Sequence, residues 1–208
     1  DPVTPNAWAE HAIWPQDPGF QSALEGGVTS MQILPGSGNL IGARGATVKN
    51  VHAITYQAMK FPGAPHGLKM ACGENPKRVY GSKGRAPSTR MGNIAVDRQT
   101  WARAQEYKRR WDKYEEKGGD APTRDLAMDT LRGVLDGEII IHNHCYRADE
   151  MAIVLDRAKE FGYKVGTFHH AVEAYKIADL LKANGTCAAV WADWWGFKME
   201  SYDAIGEN

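Results

Sequence analysis

Apolar and polar positions follow their most regular pattern in the last third of the chain, where two helical stripes separate three apolar runs. Residues 138–144 read as a short buried strand after Gly137. Met151, Val154, Leu155 and Ala158 then recur at i, i+3, i+4 and i+7, the spacing of one helix face, and Gly162 stands where a C-cap is needed. Residues 164–170 predict a second strand, and Ala174, Ile177, Ala178 and Leu181 a second helical stripe that stops at Asn184-Gly185. Residues 187–191 predict a third strand. Strands alternating with helices of this length pair in parallel through right-handed crossovers, because no hairpin can join parallel neighbours. The fold class is therefore α/β.

Upstream the pattern is less regular. Asp17-Pro18 opens a helix with Phe20, Ala23 and Leu24 on one face, Gly26-Gly27 ends it, and 28–34 follows as a strand, with 68–72 as another. Residues 35–66, rich in glycine from Gly36 to Gly45, show no clear period and read as a long irregular stretch, of the kind that more often carries function than not. A second irregular stretch, from Gly73 to about Val96, precedes a helix whose Trp101, Ala104, Tyr107, Trp111 and Tyr114 form a packing stripe. Pro122 is expected to start a further helix covered by Ala127, Leu131 and Val134.

Composition narrows the function. Lys and Arg number 25 against 25 Asp and Glu, so nothing marks a nucleic-acid backbone or an acidic membrane as partner, and a small neutral or zwitterionic molecule is the expected ligand. Cys72, Cys145 and Cys187 are too few and too scattered for a disulfide framework, which favours a reducing, cytoplasmic compartment. With 208 residues the chain is short for a closed (β/α)8 barrel, which takes about 250.

Ligands of parallel α/β sheets gather at the carboxyl ends of the strands. His142 and His144 lie two apart on one strand, so they share a face, and His170 ends the next strand. Of the consecutive His169 and His170 only one can face the site, and the phase of Gly166 and Phe168 selects His170, leaving His169 to packing or to supporting the residues of the site from behind. Glu74, just past 68–72, brings a carboxylate to an earlier strand end, and Lys69, a lysine inside an apolar strand, competes with it. Imidazole and carboxylate donors of this kind hold a divalent metal that lowers the pKa of water toward about 7. No phosphate-binding glycine loop and no nucleophile elbow is present.

Four stretches together resemble the imidazolonepropionase-related branch of the amidohydrolase superfamily. They are Gly27-Val-Thr-Ser-Met-Gln-Ile-Leu-Pro-Gly-Ser-Gly-Asn-Leu-Ile-Gly42, Gly67-Leu-Lys-Met-Ala-Cys-Gly-Glu-Asn-Pro-Lys77, His144-Cys-Tyr-Arg-Ala-Asp-Glu150 and His170-Ala-Val-Glu-Ala-Tyr-Lys176. The resemblance implies a (β/α)8 TIM-type barrel that hydrolyses amide or cyclic amide bonds with water activated by one or two divalent ions, zinc above all. It matches His144 and His170 to the metal histidines of the fifth and sixth strands. Glu74 matches the third ligand that some relatives use and Lys69 the carboxylated lysine of others, with Glu74 preferred because it lies beyond the strand end. Asn39, Tyr146 and Arg147 are expected on the substrate side, Arg147 because its planar fork suits a carboxylate.

The family's first-strand His-x-His and eighth-strand aspartate have no counterpart in these residues. Residues 1–208 are accordingly expected to be the central part of a barrel with its first and eighth strands missing, inactive alone. Its partner beyond substrate is then the remainder of a longer chain or a second copy. A non-catalytic binding protein on the same barrel is the alternative.

Overall fold

The computed structural model describes residues 1–191, so the end of the expected 1–208 unit lies outside the described residues. Its strands are β1 (Ser30–Ile33), β2 (Ile41–Lys49), β3 (His66–Ala71), β4 (Ile139–His144), β5 (Val165–His169) and β6 (Cys187–Ala189). They form one sheet in chain order. From β3 to β6 the pairing is parallel, as the alternation of strand and helix predicts, whereas β1 with β2 and β2 with β3 are antiparallel. The link 34–40 is too short for a crossover, which takes about a dozen residues or more, usually a helix. The link 50–65 holds only the one-turn α2 (Tyr56–Met59) beside α1 (Pro18–Glu25) earlier in the chain.

The larger helices are α3 (Glu74–Gly81), α4 (Arg90–Lys117), α5 (Leu126–Leu135), α6 (Ala148–Phe161) and α7 (Ala178–Asn184). A sheet wound in sequential order by crossovers of one hand carries its helices on one face. The core lies there. Leu68, Met70, Ile141, Val165 and Phe168 from the strands meet Trp101, Tyr107, Leu131, Met151 and Val154 from the helices. Asp97 of α4 and Arg157 of α6 add a buried ion pair with N···O 2.5 Å. Burial pushes the Asp97 carboxyl above its ordinary value against the pull of Arg157.

Several elements depart from the sequence reading. β2 occupies the stretch read as irregular. Six of its nine positions are buried, on both faces, so no alternation marks it, and its glycines serve close backbone approach: a Cβ on Gly42 would lie 2.9 Å from the Lys69 carbonyl oxygen. α3 falls in the second irregular stretch. α5 starts at Leu126 rather than Pro122, because the Asp125 carboxylate accepts from the Ala127 and Met128 amides at 2.9 and 3.1 Å and so fixes the N-terminus. The C-caps behave as read, Gly162 and Gly185 both left-handed with φ 78° and 63°.

The cysteines also differ from expectation. Cys72 and Cys145, 73 residues apart in sequence, form a disulfide across the ends of β3 and β4, while Cys187 is free and exposed. Parallel register brings them together: Ala71 pairs with His144, and each cysteine is the next residue along. Among the described residues no helix is long and apolar enough to cross a membrane.

Candidate active site

The sheet face away from the helices carries a polar row. Ile139 and Ile141 enter the core, so by alternation His142 and His144 point to the opposite face. Lys69 stands in register with His142, and His144 with His169. Gln32 of β1 reaches the same row, its amide nitrogen 3.0 Å from His142 Nε2. With Gln32 donating, His142 Nε2 accepts, and its Nδ1–H donates to His169 Nε2 at 2.9 Å.

Burial governs the charges of this row. Lys69 donates to the Pro35 carbonyl at 3.0 Å and to Ser37 Oγ at 3.1 Å, and loss of hydration pushes its pKa down to about 8. Burial first, then the nearby His169 and Lys69, push His142 down to about 4. His169 is lowered by burial and by Lys69. Imidazoles held neutral are in the form that binds metal.

A second pair lies at the rim, where β4 and β5 end. The rings of His144 and His170 have centroids 4.9 Å apart. Asn75, in the first turn of α3, donates to His144 Nε2 at 3.0 Å. Tyr146 packs edge-on against His144 at 4.5 Å, and Trp191 stacks on His170 at 5.2 Å.

The phase chosen for β5 is corrected. Phe168 is fully buried in the core, which turns His169, not His170, to the polar face. A register irregularity between β4 and β5 at Ile141 and His142 shifts the alternation. β5 stops at His169, and His170 takes a left-handed φ of 55°. Alternation therefore does not bind it, and both consecutive histidines meet β4 histidines.

Glu74 directs its carboxylate toward Lys77 at 3.0 Å and Arg90 at 3.9 Å. Asn39 donates to Thr4 Oγ1 and accepts from the Tyr80 hydroxyl, both at 2.6 Å, contacts that tie its loop to the body of the protein. Arg147 forks onto Asp149 at 2.9 and 2.7 Å. Of the three expected substrate residues, Tyr146 touches the histidines directly. Sequence reading passed over Gln32, Asn75 and Trp191. Gln32 is detectable as the polar position between Met31 and Ile33, and Asn75 as the neighbour of Glu74.

The two imidazoles at the ends of adjacent parallel strands, one of them 2% exposed, are donors of the type a divalent metal takes.

No protein-family model matches the chain. The chain is similar to amidohydrolase tasK of Hapsidospora irregularis, with 32% identity over 225 residues that take in 97% of this chain and 23% of that protein. It is also similar to the crystal structure of an amidohydrolase from Thermotoga maritima MSB8, with a TM-score of 0.91 and 36% identity over 99% of this chain and 53% of that one. The described fold is thus a mixed α/β, partial-barrel segment that spans about half of the solved relative.

Proposed function

We propose that this chain is the central segment of an amidohydrolase barrel of the TIM type, in the imidazolonepropionase-related branch, and that the whole protein hydrolyses amide or cyclic amide C–N bonds of a small molecule with metal-activated water. The observation that carries the reading is the approach of His144 and His170 to 4.9 Å at the ends of adjacent parallel strands. The likeness to two amidohydrolases over nearly the whole chain supports it.

His144 and His170 would hold the ion, zinc by its preference for such donors, as one or two atoms. Bound there, it supplies Lewis acidity and a water acidified toward a pKa of about 7. Lys69 and Glu74 compete as the further ligand. Lys69 gains support from the histidine row it shares and from its lowered pKa, which leaves more free amine to take up carbon dioxide as a carbamate. Glu74 gives part of its carboxylate to Lys77 and Arg90.

The chain's own residues set the site. Asn75 orients the ring of His144 through its 3.0 Å contact with Nε2. Tyr146 and Trp191 wall the histidines and present aromatic surface to a substrate. Gln32, His142 and His169 form a neutral hydrogen-bonded chain beneath.

The test is elemental analysis of the intact protein and its His170→Ala variant, joined to an activity screen over dipeptides, acylated amino acids and cyclic amides. Loss of metal with loss of turnover is expected. Unchanged metal content in His170→Ala overturns the ligand assignment, and metal binding without hydrolysis of any of the three classes favours the non-catalytic alternative.

A further inference from the structure

The disulfide lies on the other face of the sheet from the histidines. Cys72 and Cys145 follow β3 and β4 in phase with Met70 and Ile141, and both belong to the helix-side core. Glu150, in the first turn of α6, is buried there too. One sulfur from each cysteine and a carboxylate oxygen of Glu150 lie within 4.8 Å of one another. Beside them is a cavity of about 190 Å³ lined by Cys72, Gly73, Arg90, Asn93 and Glu150, among others. Asn93 is 2% exposed and spends its amide nitrogen on the Gly73 carbonyl at 2.9 Å. Among the described residues its Oδ1 has no hydrogen-bond partner. A buried acceptor in that condition points to something that enters the cavity.

We propose that, once reduced, Cys72 and Cys145 join Glu150 in a buried site for a thiophilic divalent cation of the zinc kind, separate from the strand-end histidines. The disulfide and the ion are then alternative states of one pair of sulfurs. Two thiolates and a carboxylate are a donor set that zinc accepts in tetrahedral geometry. With Zn–S bonds of about 2.3 Å the sulfurs stand about 3.8 Å apart, a spacing that side-chain rotation reaches from Cα atoms 5.2 Å apart. The fourth position faces the cavity, where water on the ion finds Asn93 Oδ1 as acceptor. Arg90, whose Nε donates to Glu150 at 2.9 Å, completes the charge balance: three anionic ligands against a divalent ion and one guanidinium.

The redox step is a two-electron one. The S–S bond breaks as a phosphine takes the oxygen of one water to become its oxide and that water's two protons go to the two sulfurs, or as a dithiol gives up two electrons and two protons and closes to its own disulfide; binding of the ion then releases the thiol protons to water.

Cobalt(II) is the probe, because thiolate ligation gives a sulfur-to-cobalt charge-transfer band that imidazole ligation lacks. The intact protein is stripped of metal, reduced with a phosphine, and titrated. The band is expected in the reduced protein and not in the oxidised one, with saturation at one ion of this class per chain. It should persist in His170→Ala and in Cys187→Ser, vanish in Cys145→Ser, and need about tenfold more cobalt in Glu150→Gln. Near-ultraviolet circular dichroism shows whether Cys145→Ser is folded; if it is not, the comparison of oxidised and reduced wild type decides. A reduced protein whose two thiols are confirmed by alkylation but which gives no band overturns the proposal, as does a band lost in Cys187→Ser or His170→Ala.

Discussion

Lys69→Met keeps the unbranched stem of the side chain out to Cε and removes the ammonium, which isolates what burial costs the charge. The pKa falls from the ordinary 10.5 to about 8 through loss of hydration. That gap corresponds to about 3 kcal/mol at about 1.4 kcal/mol for each pH unit. Below pH 8 the amine is charged in both the folded and the unfolded chain, and the fold bears the full cost. Between about 8 and 10.5 the unfolded chain holds a proton that the folded chain has released, so the wild type gains stability as the pH rises through that window. Against this stand two hydrogen bonds, to the Pro35 carbonyl and Ser37 Oγ, together worth about 1–3 kcal/mol. The variant is therefore expected to equal or exceed the wild type by up to about 2 kcal/mol at pH 7 and to fall behind it by pH 10.5. Urea denaturation of both proteins, metal-free and in buffer purged of carbon dioxide, reads the difference. A stability gap that stays constant from pH 7 to 10.5 refutes the assignment of a buried, desolvated amine.

Two further substitutions test the packing. Gly42→Ala sets a Cβ 2.9 Å from the Lys69 carbonyl oxygen, a backbone atom that cannot move aside cheaply, and is expected to cost about 1–3 kcal/mol in a denaturant melt; no loss refutes the close approach of β2 to β3. Asp97→Ala strands the buried Arg157 guanidinium and is expected to cost about 3–5 kcal/mol, most of it recovered when Arg157→Met is added. A double variant no more stable than Asp97→Ala alone refutes the stranded charge as the cause.

Much of the C-terminal half was legible because its signals are local. The buried stripe of α6 and the glycines that end α6 and α7 are each written within a few residues, and the structure has them where periodicity puts them. β2 was not legible, since a strand buried on both faces and opened by glycines has no alternation to read. The stripe from Ala174 to Leu181 marked one helix, yet it divides into a single 3-10 turn, Ala174–Ile177, and α7.

At the site, sequence alone established that His142 and His144 share a face and that histidines end two successive strands. It also carried the motifs on which the amidohydrolase resemblance rests. Which of His169 and His170 turns where was decided in three dimensions, by the irregular pairing of β5 with β4 and by the positive φ at His170. The same holds for Gln32 against His142, 110 residues away, and for Cys72 against Cys145 across 73 residues. Periodicity records which face of an element is buried, but not its register against the next. Register is set by long-range pairing, and it is register that brings lysine, histidines and sulfurs within reach of one another.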